Sequence, residues 1–258
     1  MKKRGRKSQV TIFIIIAILI VGTIILFFLL AQKKPQKIFK SSVPNLQESI
    51  EKCVRDATQE AISIMLPQGG YINPTNYKLY KNNKVAYLCY NMNYYQTCVN
   101  QQPLYIQFLE QQIRSYIEPK IKDCFYSLKQ EYKKKNYAVN DGDLSLNVKL
   151  NPKQVEINVF KKFEVNKGGE TRKFEKFRVR IPSPLYDLGI AAQEIASQEA
   201  KYCSSLYLGY SLTNPEITID KKQVGSGQGA SKIYIIKDKV TNKSLMIAIR
   251  SCAMPGGL

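Results

Sequence analysis

Residues 144–160 read LSLNVKLNPKQVEINVF, and this stretch decides the fold of the chain. Apolar residues alternate with polar ones from Leu144 to Leu150 and again from Val155 to Val159, which is the period of a strand with one buried face. The segment between them, Asn151–Lys153, contains a proline and favours a turn. The stretch therefore predicts two antiparallel strands, each with one side in a core.

Further strands are predicted on both sides of this stretch. A turn at Lys167–Glu170 leads into a third strand, Phe174 to Ile181, which completes an antiparallel meander. Tyr77–Tyr90 is predicted as a hairpin that turns at Asn82 and Asn83. The other predicted strands are Glu216–Val224, Lys232–Asp238 and Leu245–Arg250.

Three segments have the spacing of amphipathic helices, with apolar residues at every third or fourth position. The first starts after Asn45 and ends at Pro67–Gly70, and the second runs from Leu104 to Tyr132, with Pro119 expected to kink or divide it. The third, Leu185 to Tyr202, has the cleanest apolar stripe. Because antiparallel strands are combined with separate helices, the expected fold class is α+β.

A run of 21 residues without charge, Val10 to Leu30, precedes all of these elements. At about 1.5 Å per residue, such a helix is about 30 Å long, which matches the hydrocarbon core of a bilayer. We therefore expect a single transmembrane helix over residues 10–31. The alternative is a cleaved secretory signal, but the apolar run exceeds the usual length of about 7–15 residues and no small-x-small cleavage site follows it. The anchor residues along the run are Val10, Ile14, Ile18, Ile25 and Leu30.

The composition divides the chain into five segments. A basic tail, residues 1–9, is expected in the cytoplasm, and a linker rich in Lys, residues 32–44, follows the transmembrane helix. The folded part is expected to comprise a helical and hairpin subdomain, residues 45–135, and an α+β antiparallel-sheet subdomain, residues 136–258. Lysines follow the span as well as precede it, so the positive-inside rule only slightly favours this orientation.

All six cysteines lie after the apolar run, which is typical of a domain in an oxidising exterior. We therefore expect an extracellular C-terminal domain with disulfides. Two alternatives stay open: reduced, buried thiols, and a zinc site, which the lack of His and of C-x₂₋₄-C spacing disfavours. Sequence alone does not choose among the possible pairings, but the helix faces favour Cys53–Cys124, and Cys89–Cys98 and Cys203–Cys252 are further candidates.

The chain has 39 basic and 20 acidic side chains, a net charge of +19. The tail carries five of the positive charges, which leaves +14 for the remainder. A field of this sign attracts anionic lipid head groups, acidic glycans and acidic surface proteins. Nucleic acid is not an expected partner, because Lys outnumbers Arg and bidentate phosphate recognition prefers Arg. The alternative is a lysine-rich composition whose side chains are simply solvated.

The sequence predicts no catalytic, metal or cofactor site. The chain contains no His, which excludes Ser-His-Asp and Cys-His nucleophiles and imidazole bases. Gly225–Gly229 lacks the spacing of a dinucleotide-binding loop, and a linker between strands is expected there. Asn140–Asp143 resembles the start of a calcium loop but lacks its closing Glu, so a turn is expected. Asn242 opens a candidate glycosylation sequon.

The start of the apolar run, Lys7 to Phe13, resembles the class III signal peptide of archaeal type IV pilin-like proteins. In that family a basic residue and a small residue precede a Gln, and a prepilin peptidase cuts before the Gln. The resemblance implies a processing site between Ser8 and Gln9, and self-association through the apolar helix that remains. Many pilins carry a Glu five residues into the mature helix, where this chain has Phe13.

The rest of the chain resembles a loosely defined group of uncharacterised membrane-anchored surface proteins of small-genome archaea. The features that carry the resemblance are Cys53 with Val54, the segment Leu66–Ile72, Cys124 at the end of a helix, and the strand meander. The resemblance implies a surface-exposed domain stapled by disulfides, and it implies no activity.

We expect a non-enzymatic, single-pass protein of the cell membrane, acting as a pilin-like subunit or as an adhesion or envelope component. One alternative is a monomeric ectodomain that binds acidic envelope glycan or a partner protein. Another is an envelope enzyme that uses Ser and Lys or carboxylates. A filament subunit requires Gln9 as its mature N-terminus, whereas a glycan binder stays monomeric and loses affinity as salt is added.

Overall fold

A computed structural model describes residues 15–26 and 45–252 of the chain. The chain divides into two compact units, Met1–Ser42 and Val43–Leu258. In the first unit, residues 15–26 form helix α1, and its side chains, Ile18 and Ile25 among them, are exposed.

Among the helices of the described ranges, none is both long enough and apolar enough to cross a membrane. Both ends of the apolar run that predicted an anchor, residues 10–14 and 27–30, lie outside those ranges, so the anchor and the processing site stay predictions. The predicted residues outside the described ranges are Ser8, Gln9, Val10, Ile14 and Leu30.

The larger unit is built from helices and strands in the mixed order that the sequence predicts, so the α+β fold class is confirmed. Its helices are α2 (Leu46–Met65), α3 (Tyr105–Lys134), α4 (Leu185–Tyr202) and α5 (Tyr207–Thr213), with 3₁₀ turns at Leu66–Gln68 and Gly227–Gly229. Its strands are β1 (Tyr77–Tyr80), β2 (Asn83–Tyr90), β3 (Val99–Asn100), β4 (Ala138–Asp141), β5 (Ser145–Asn151), β6 (Gln154–Lys167), β7 (Glu170–Pro182), β8 (Ile217–Val224), β9 (Ser231–Asp238) and β10 (Ser244–Arg250).

The first sheet, the mixed sheet, has the strand order β1-β2-β10-β9-β8, and β3 pairs with β2. Its neighbours are antiparallel except β2 and β10, which are parallel. This pairing joins the predicted hairpin to the C-terminal strands. Strands from both expected subdomains, residues 45–135 and 136–258, thus share one sheet.

The second sheet, the meander sheet, is organised around the long strand β6. Strand β7 pairs along one side of β6, and β5 and β4 pair with successive parts of the other side, all antiparallel. The predicted three-strand meander is thus confirmed, and β4 is an additional strand where a turn was expected. The register of β6 against β7 shifts between Phe160 and Phe163, at a β-bulge.

Helix α3 contains Pro119 without being divided by it. The buried stripe of the helix continues on both sides, with Ile113 and Ile117 before the proline and Ile121 and Phe125 after it. A proline inside a helix costs about 3 kcal/mol, because an N–H is lost and the ring crowds the preceding turn. Each buried stripe residue contributes about 1.5–3 kcal/mol, so tertiary packing outweighs the proline.

Two tight turns show how local sequence sets the strand register. Lys81 and Asn82 have φ of 46° and 64°, so the first hairpin turns one residue earlier than expected. Positive φ at both central positions is the requirement of a type I′ turn, which suits the twist of paired strands. In the meander, Pro152 precedes Lys153, whose φ is 63°, as in a type II turn.

All six cysteines form disulfides, in the three pairs predicted from the sequence. The Cα separations are 6.6 Å for Cys53–Cys124, 5.4 Å for Cys89–Cys98 and 5.5 Å for Cys203–Cys252. Cys53–Cys124 joins α2 to α3, and Cys89–Cys98 closes the loop after β2. Cys203–Cys252 joins the end of α4 to the segment that follows β10. The resemblance to membrane-anchored proteins implied that Cys124 ends a helix. In the structure Cys124 lies inside α3, ten residues before its end.

Candidate functional site

Strands β5, β6 and β7 have one buried face and one exposed face. Successive side chains of a strand point to opposite sides, so the alternation read from the sequence separates the two sets. The buried set, none more than 7% exposed, is Leu146, Val148, Leu150, Val155, Ile157, Val159, Phe177, Val179 and Ile181. The outward-facing set, which we call the basic sheet face, is Ser145, Asn147, Lys149, Glu156, Asn158, Phe160, Lys176, Arg178 and Arg180.

The strand register arranges the basic sheet face in three rows. The rows are Lys149–Glu156–Arg180, Asn147–Asn158–Arg178 and Ser145–Phe160–Lys176. Neighbouring strands lie about 4.8 Å apart, and successive outward residues of one strand about 6.8 Å apart. A single extended ligand can therefore contact side chains of more than one row.

Two arginines on β7 are held in place by their neighbours on β6. Nε of Arg180 donates to Glu156 Oε2 at 3.0 Å, and Nε of Arg178 donates to Asn158 Oδ1 at 3.1 Å. Asn158 Nδ2 in turn donates to Glu156 Oε1 at 3.0 Å, so the four side chains form one network. The hydrogen bonds to Asn158 and Arg180 lower the pKa of Glu156, which keeps its carboxylate charged.

The arrangement leaves the outer part of each guanidinium group available. Both arginines are bonded through Nε, and among the described residues no group accepts a hydrogen bond from their terminal nitrogens. A guanidinium presents its donors as a planar fork, which matches the two oxygens of a carboxylate. Because the network fixes the side chains beforehand, a ligand that binds them orders little additional structure.

The third row adds an aromatic ring to the face. Phe160 is 41% exposed although it is a large apolar residue, and it lies beside the β-bulge of β6. The ammonium group of Lys176 lies 5.2 Å from the centroid of its ring, within cation–π distance. An exposed ring with a cation beside it can pack against the apolar face of a sugar while the cation meets an acidic group.

The charges on the basic sheet face are unequal. The face carries four cations, Lys149, Lys176, Arg178 and Arg180, and one carboxylate, that of Glu156. The edge cation, Lys149, also lies 3.5 Å from Glu110 of α3. The centre of the face is therefore positive and attracts anions. Because the sheet is twisted, a flexible ligand can follow its surface better than a flat, rigid one.

A second cluster of polar residues is buried between α4 and the mixed sheet. Lys232 of β9 donates to Glu199 Oε2 and to the carbonyl oxygen of Cys203, both at 2.6 Å. The hydroxyl of Tyr234 donates to the other carboxylate oxygen of Glu199. Burial lowers the pKa of Lys232 and raises that of Tyr234.

This buried cluster has the groups of an acid–base site but not its accessibility. Lys232, Tyr234 and Glu199 bond one another and the backbone, and all three are buried. The hydroxyl of the nearby Ser231 shares a hydrogen bond with the hydroxyl of Tyr87, at 2.8 Å. The cluster is suited to holding α4 against the sheet.

Asp141 occupies the segment that resembles the start of a calcium loop. It lies in strand β4, and its carboxylate bonds the ammonium group of Lys129 and lies 3.2 Å from that of Lys161. Burial raises the pKa of Asp141, but the hydrogen bonds to the two lysines outweigh burial and the pKa is lowered. Two lysines thus occupy the position that a cation would need. Among residues 15–26 and 45–252, no three Cys, Asp or Glu side chains are grouped closely enough to hold a metal ion.

The remaining predicted residues lie apart from the basic sheet face. Asn242 is exposed in the turn between β9 and β10, with φ of 58°. Gly225–Gly229 connects β8 to β9, as the linker prediction had it, and its Gly229 carbonyl accepts a hydrogen bond from Lys78 at 2.6 Å. The disulfides staple helices and loops and do not approach a shared site.

Sequence reasoning predicted the strands of the basic sheet face but did not single out its residues. The signal was present in β7, where Arg172, Arg178 and Arg180 account for three of the eight arginines in the chain. Two of them alternate with Val179 on a predicted strand, which already placed them on the outer face. The Nε bonds to β6 depend on cross-strand register, which the composition of one strand does not reveal.

Comparison with known proteins gives no relative: no family model, no curated protein and no solved structure matches the chain.

Proposed function

We propose that this chain is a non-enzymatic, membrane-anchored cell-surface protein whose folded domain binds an acidic glycan on the basic sheet face. The apolar run Val10–Leu30 is the anchor, and the domain acts in adhesion or as a component of the envelope. The observation that carries the proposal is the pair Arg178 and Arg180, each fixed through Nε and open at its terminal nitrogens.

The chemistry of the face favours an acidic glycan over other polyanions. A glycan that carries carboxylates offers an oxygen pair to each guanidinium, hydroxyls to the amides of Asn147 and Asn158, and a ring face to Phe160. The described domain, residues 45–252, has 30 basic and 20 acidic side chains, so its net charge of +10 also attracts such a polymer at long range.

Two features support an extracellular position for the domain. The three disulfides persist in oxidising surroundings and are rare in a reducing cytosol. Asn242 lies exposed at a turn, where a glycosyltransferase can reach it. Both fit a chain whose N-terminal tail stays inside the cell.

The test compares two double substitutions that remove the same charge from different surfaces. Arg178→Gln/Arg180→Gln removes the fork donors of the basic sheet face, and Lys237→Gln/Lys239→Gln removes two exposed cations near the β9–β10 turn. The full chain in nanodiscs of neutral lipid is titrated with a polyuronate and with a neutral polysaccharide of similar length. We expect the arginine variant to lose about tenfold or more in polyuronate affinity, about 1.4 kcal/mol, and the lysine variant about twofold or less.

Equal losses in the two variants would mean that only net charge matters, and the face would be rejected as a site. Equal binding of the neutral polysaccharide by the unaltered protein would reject the acidic class of ligand. Binding to the polyuronate should also weaken steeply as salt is raised, because exposed charges are screened over about 8–10 Å at physiological ionic strength.

A second candidate function is a filament subunit, favoured by the segment Lys7–Phe13 and its resemblance to class III signal peptides. Under this proposal the mature chain starts at Gln9 and associates with copies of itself through the apolar run. Mass spectrometry of the N-terminus of membrane-extracted protein tests it. A start at Gln9 supports processing of this kind, and an N-terminus at Met1 or Lys2 overturns it while leaving the anchored glycan binder intact.

A further inference from the structure

Helix α5 and the residues before it expose a group of large apolar side chains. Leu206, Leu208 and Leu212 are 79%, 64% and 85% exposed, and Tyr202 at the end of α4 is exposed beside them. We call these four residues the leucine surface. Helix α5 has no buried residue at all. Monomeric proteins seldom expose large apolar residues in such a group unless the surface binds something.

The attachment of α5 reverses the usual arrangement of an amphipathic helix. Tyrosines face the domain: the ring of Tyr207 packs edge-on against Tyr234 at 5.8 Å between centroids, and Tyr210 is half-buried. The leucines of α5 face outward. The helix is therefore fixed by its polar-tipped aromatic residues, and its most apolar side chains are left for contact with something outside the domain.

The segment that leads into the leucine surface is tied to the domain by a disulfide and by hydrogen bonds. Cys203 is bonded to Cys252, and its carbonyl oxygen accepts a hydrogen bond from the buried Lys232 at 2.6 Å. The N–H of Leu206 donates to Gln198 Oε1 of α4 at 2.7 Å. A surface that is already ordered loses little conformational entropy when it binds.

Cations lie next to the aromatic residues at the margin of this surface. The ammonium group of Lys201 lies 4.9 Å from the ring of Tyr202, and that of Lys221 lies 6.0 Å from the ring of Tyr207. Acidic residues also lie near α5. Asp187 and Glu194 of α4 lie near the half-buried Tyr210. Glu216 and Asp220, before and within the adjacent strand β8, are each paired with a lysine, Lys153 and Lys222. Leucines bordered by tyrosines and lysines are the composition of a membrane interface, with leucine among the acyl chains, tyrosine at the head groups and lysine on anionic phosphates.

We infer that the leucine surface inserts into the interfacial layer of a bilayer that contains anionic lipid. The inference rests on the proposed membrane anchor, because a chain anchored in a membrane keeps its domain at high effective concentration near that membrane. Three leucines alone give weak attachment, and the anchor makes weak attachment sufficient. A second protein as the occupant of the surface is an outcome that the following test separates from lipid.

The test uses the absence of Trp from the chain, which makes a single introduced Trp an unambiguous reporter. Leu208→Trp and Leu212→Trp place the reporter on the leucine surface. Val240→Trp, at a residue 74% exposed in the β9–β10 turn, is the matched control. The full chain is reconstituted into vesicles of phosphatidylcholine alone or with phosphatidylglycerol, with and without brominated acyl chains, and flotation establishes that the protein is membrane-bound.

We expect both leucine-surface reporters to emit at shorter wavelength in vesicles and to lose at least half of their intensity to brominated lipid, more so with phosphatidylglycerol. The Val240→Trp reporter should show neither change. Leucine-surface reporters that behave like the control in protein that floats with the vesicles would overturn the inference. A blue shift without quenching by brominated lipid would also overturn it, in favour of a protein partner. Failure to float would instead count against the proposed anchor, and the two failures are thus distinguishable.

Discussion

At the scale of single residues, the ion pair of Glu199 and Lys232 is costly to bury, because both side chains are almost fully removed from water. Each charge has lost its water, and each depends on the other together with Tyr234 and the Cys203 carbonyl. A complete buried ion pair adds little net stability over apolar residues of the same size, but a half-removed pair leaves a charge without compensation. The pair therefore constrains which substitutions the core accepts.

We expect Lys232→Met to lower the free energy of unfolding by roughly 3–5 kcal/mol, because it leaves the carboxylate of Glu199 buried without its cation. The double variant Lys232→Met/Glu199→Leu should recover most of the loss. Urea unfolding followed by circular dichroism measures both. If the double variant is as unstable as the single one, the loss comes from packing and not from the uncompensated charge.

At the scale of elements, the helices and strands follow from periodicity, but their partners do not. The stripes of α2, α3 and α4 and the alternation of β5 and β6 each repeat within one segment, so the sequence reveals them. Strand β4 is only four residues long, and α5 carries its leucines outside, so neither has a readable apolar stripe. The parallel pairing of β2 with β10 joins distant segments, and no local pattern encodes it.

The basic sheet face shows the same limit at the candidate site. Its strands and the outward direction of Arg178 and Arg180 follow from alternation alone. Its arginine network requires that Glu156 and Asn158 lie opposite them, which is a matter of register between strands. The exposure of Leu208 and Leu212 and the burial of Lys232 likewise depend on how distant segments pack, which no local pattern reveals.

Two of the disulfides close loops of very different length, so their contributions to stability can be compared. Cys53–Cys124 closes 71 residues and Cys89–Cys98 closes nine. The chain-entropy relation gives about 4 kcal/mol for the larger closure and about 2.5 kcal/mol for the smaller. We therefore expect Cys53→Ala/Cys124→Ala to lower the free energy of unfolding more than Cys89→Ala/Cys98→Ala, as measured by denaturant titration. The reverse order would mean that native packing around the small loop, and not the entropy of the unfolded chain, dominates.

At the scale of the whole molecule, tyrosines link stability to pH. Burial raises the pKa of five tyrosines spread through the fold, and Tyr105 and Tyr234 are among the most buried. In the unfolded chain these hydroxyls ionise near pH 10, whereas the fold keeps them protonated. Their contribution to stability is thus complete below that pH and is lost progressively as the pH rises from it through the raised pKa of the folded state.

We expect the urea midpoint to fall steadily above about pH 10, with tyrosinate absorbance rising together with unfolding. Lys232 acts in the opposite direction, because its pKa is lowered and the folded state binds fewer protons than the unfolded state just below the ordinary lysine pKa. One lysine against five tyrosines does not reverse the trend. A midpoint that stays constant to about pH 11 would show that these rings are not desolvated as described.

The parallel pairing of β2 with β10 has a consequence for the order in which the protein can be made. Tyr90 and Arg250 are partners across 160 residues, so the middle of the mixed sheet is missing until nearly the whole chain has been synthesised. At about 5–20 residues per second, that delay is roughly 8–30 seconds. Throughout it, the first hairpin waits with Val85 and Leu88 uncovered on a growing chain. The exposed apolar side chains of the hairpin are covered on that side of the sheet only when the last strand pairs with β2.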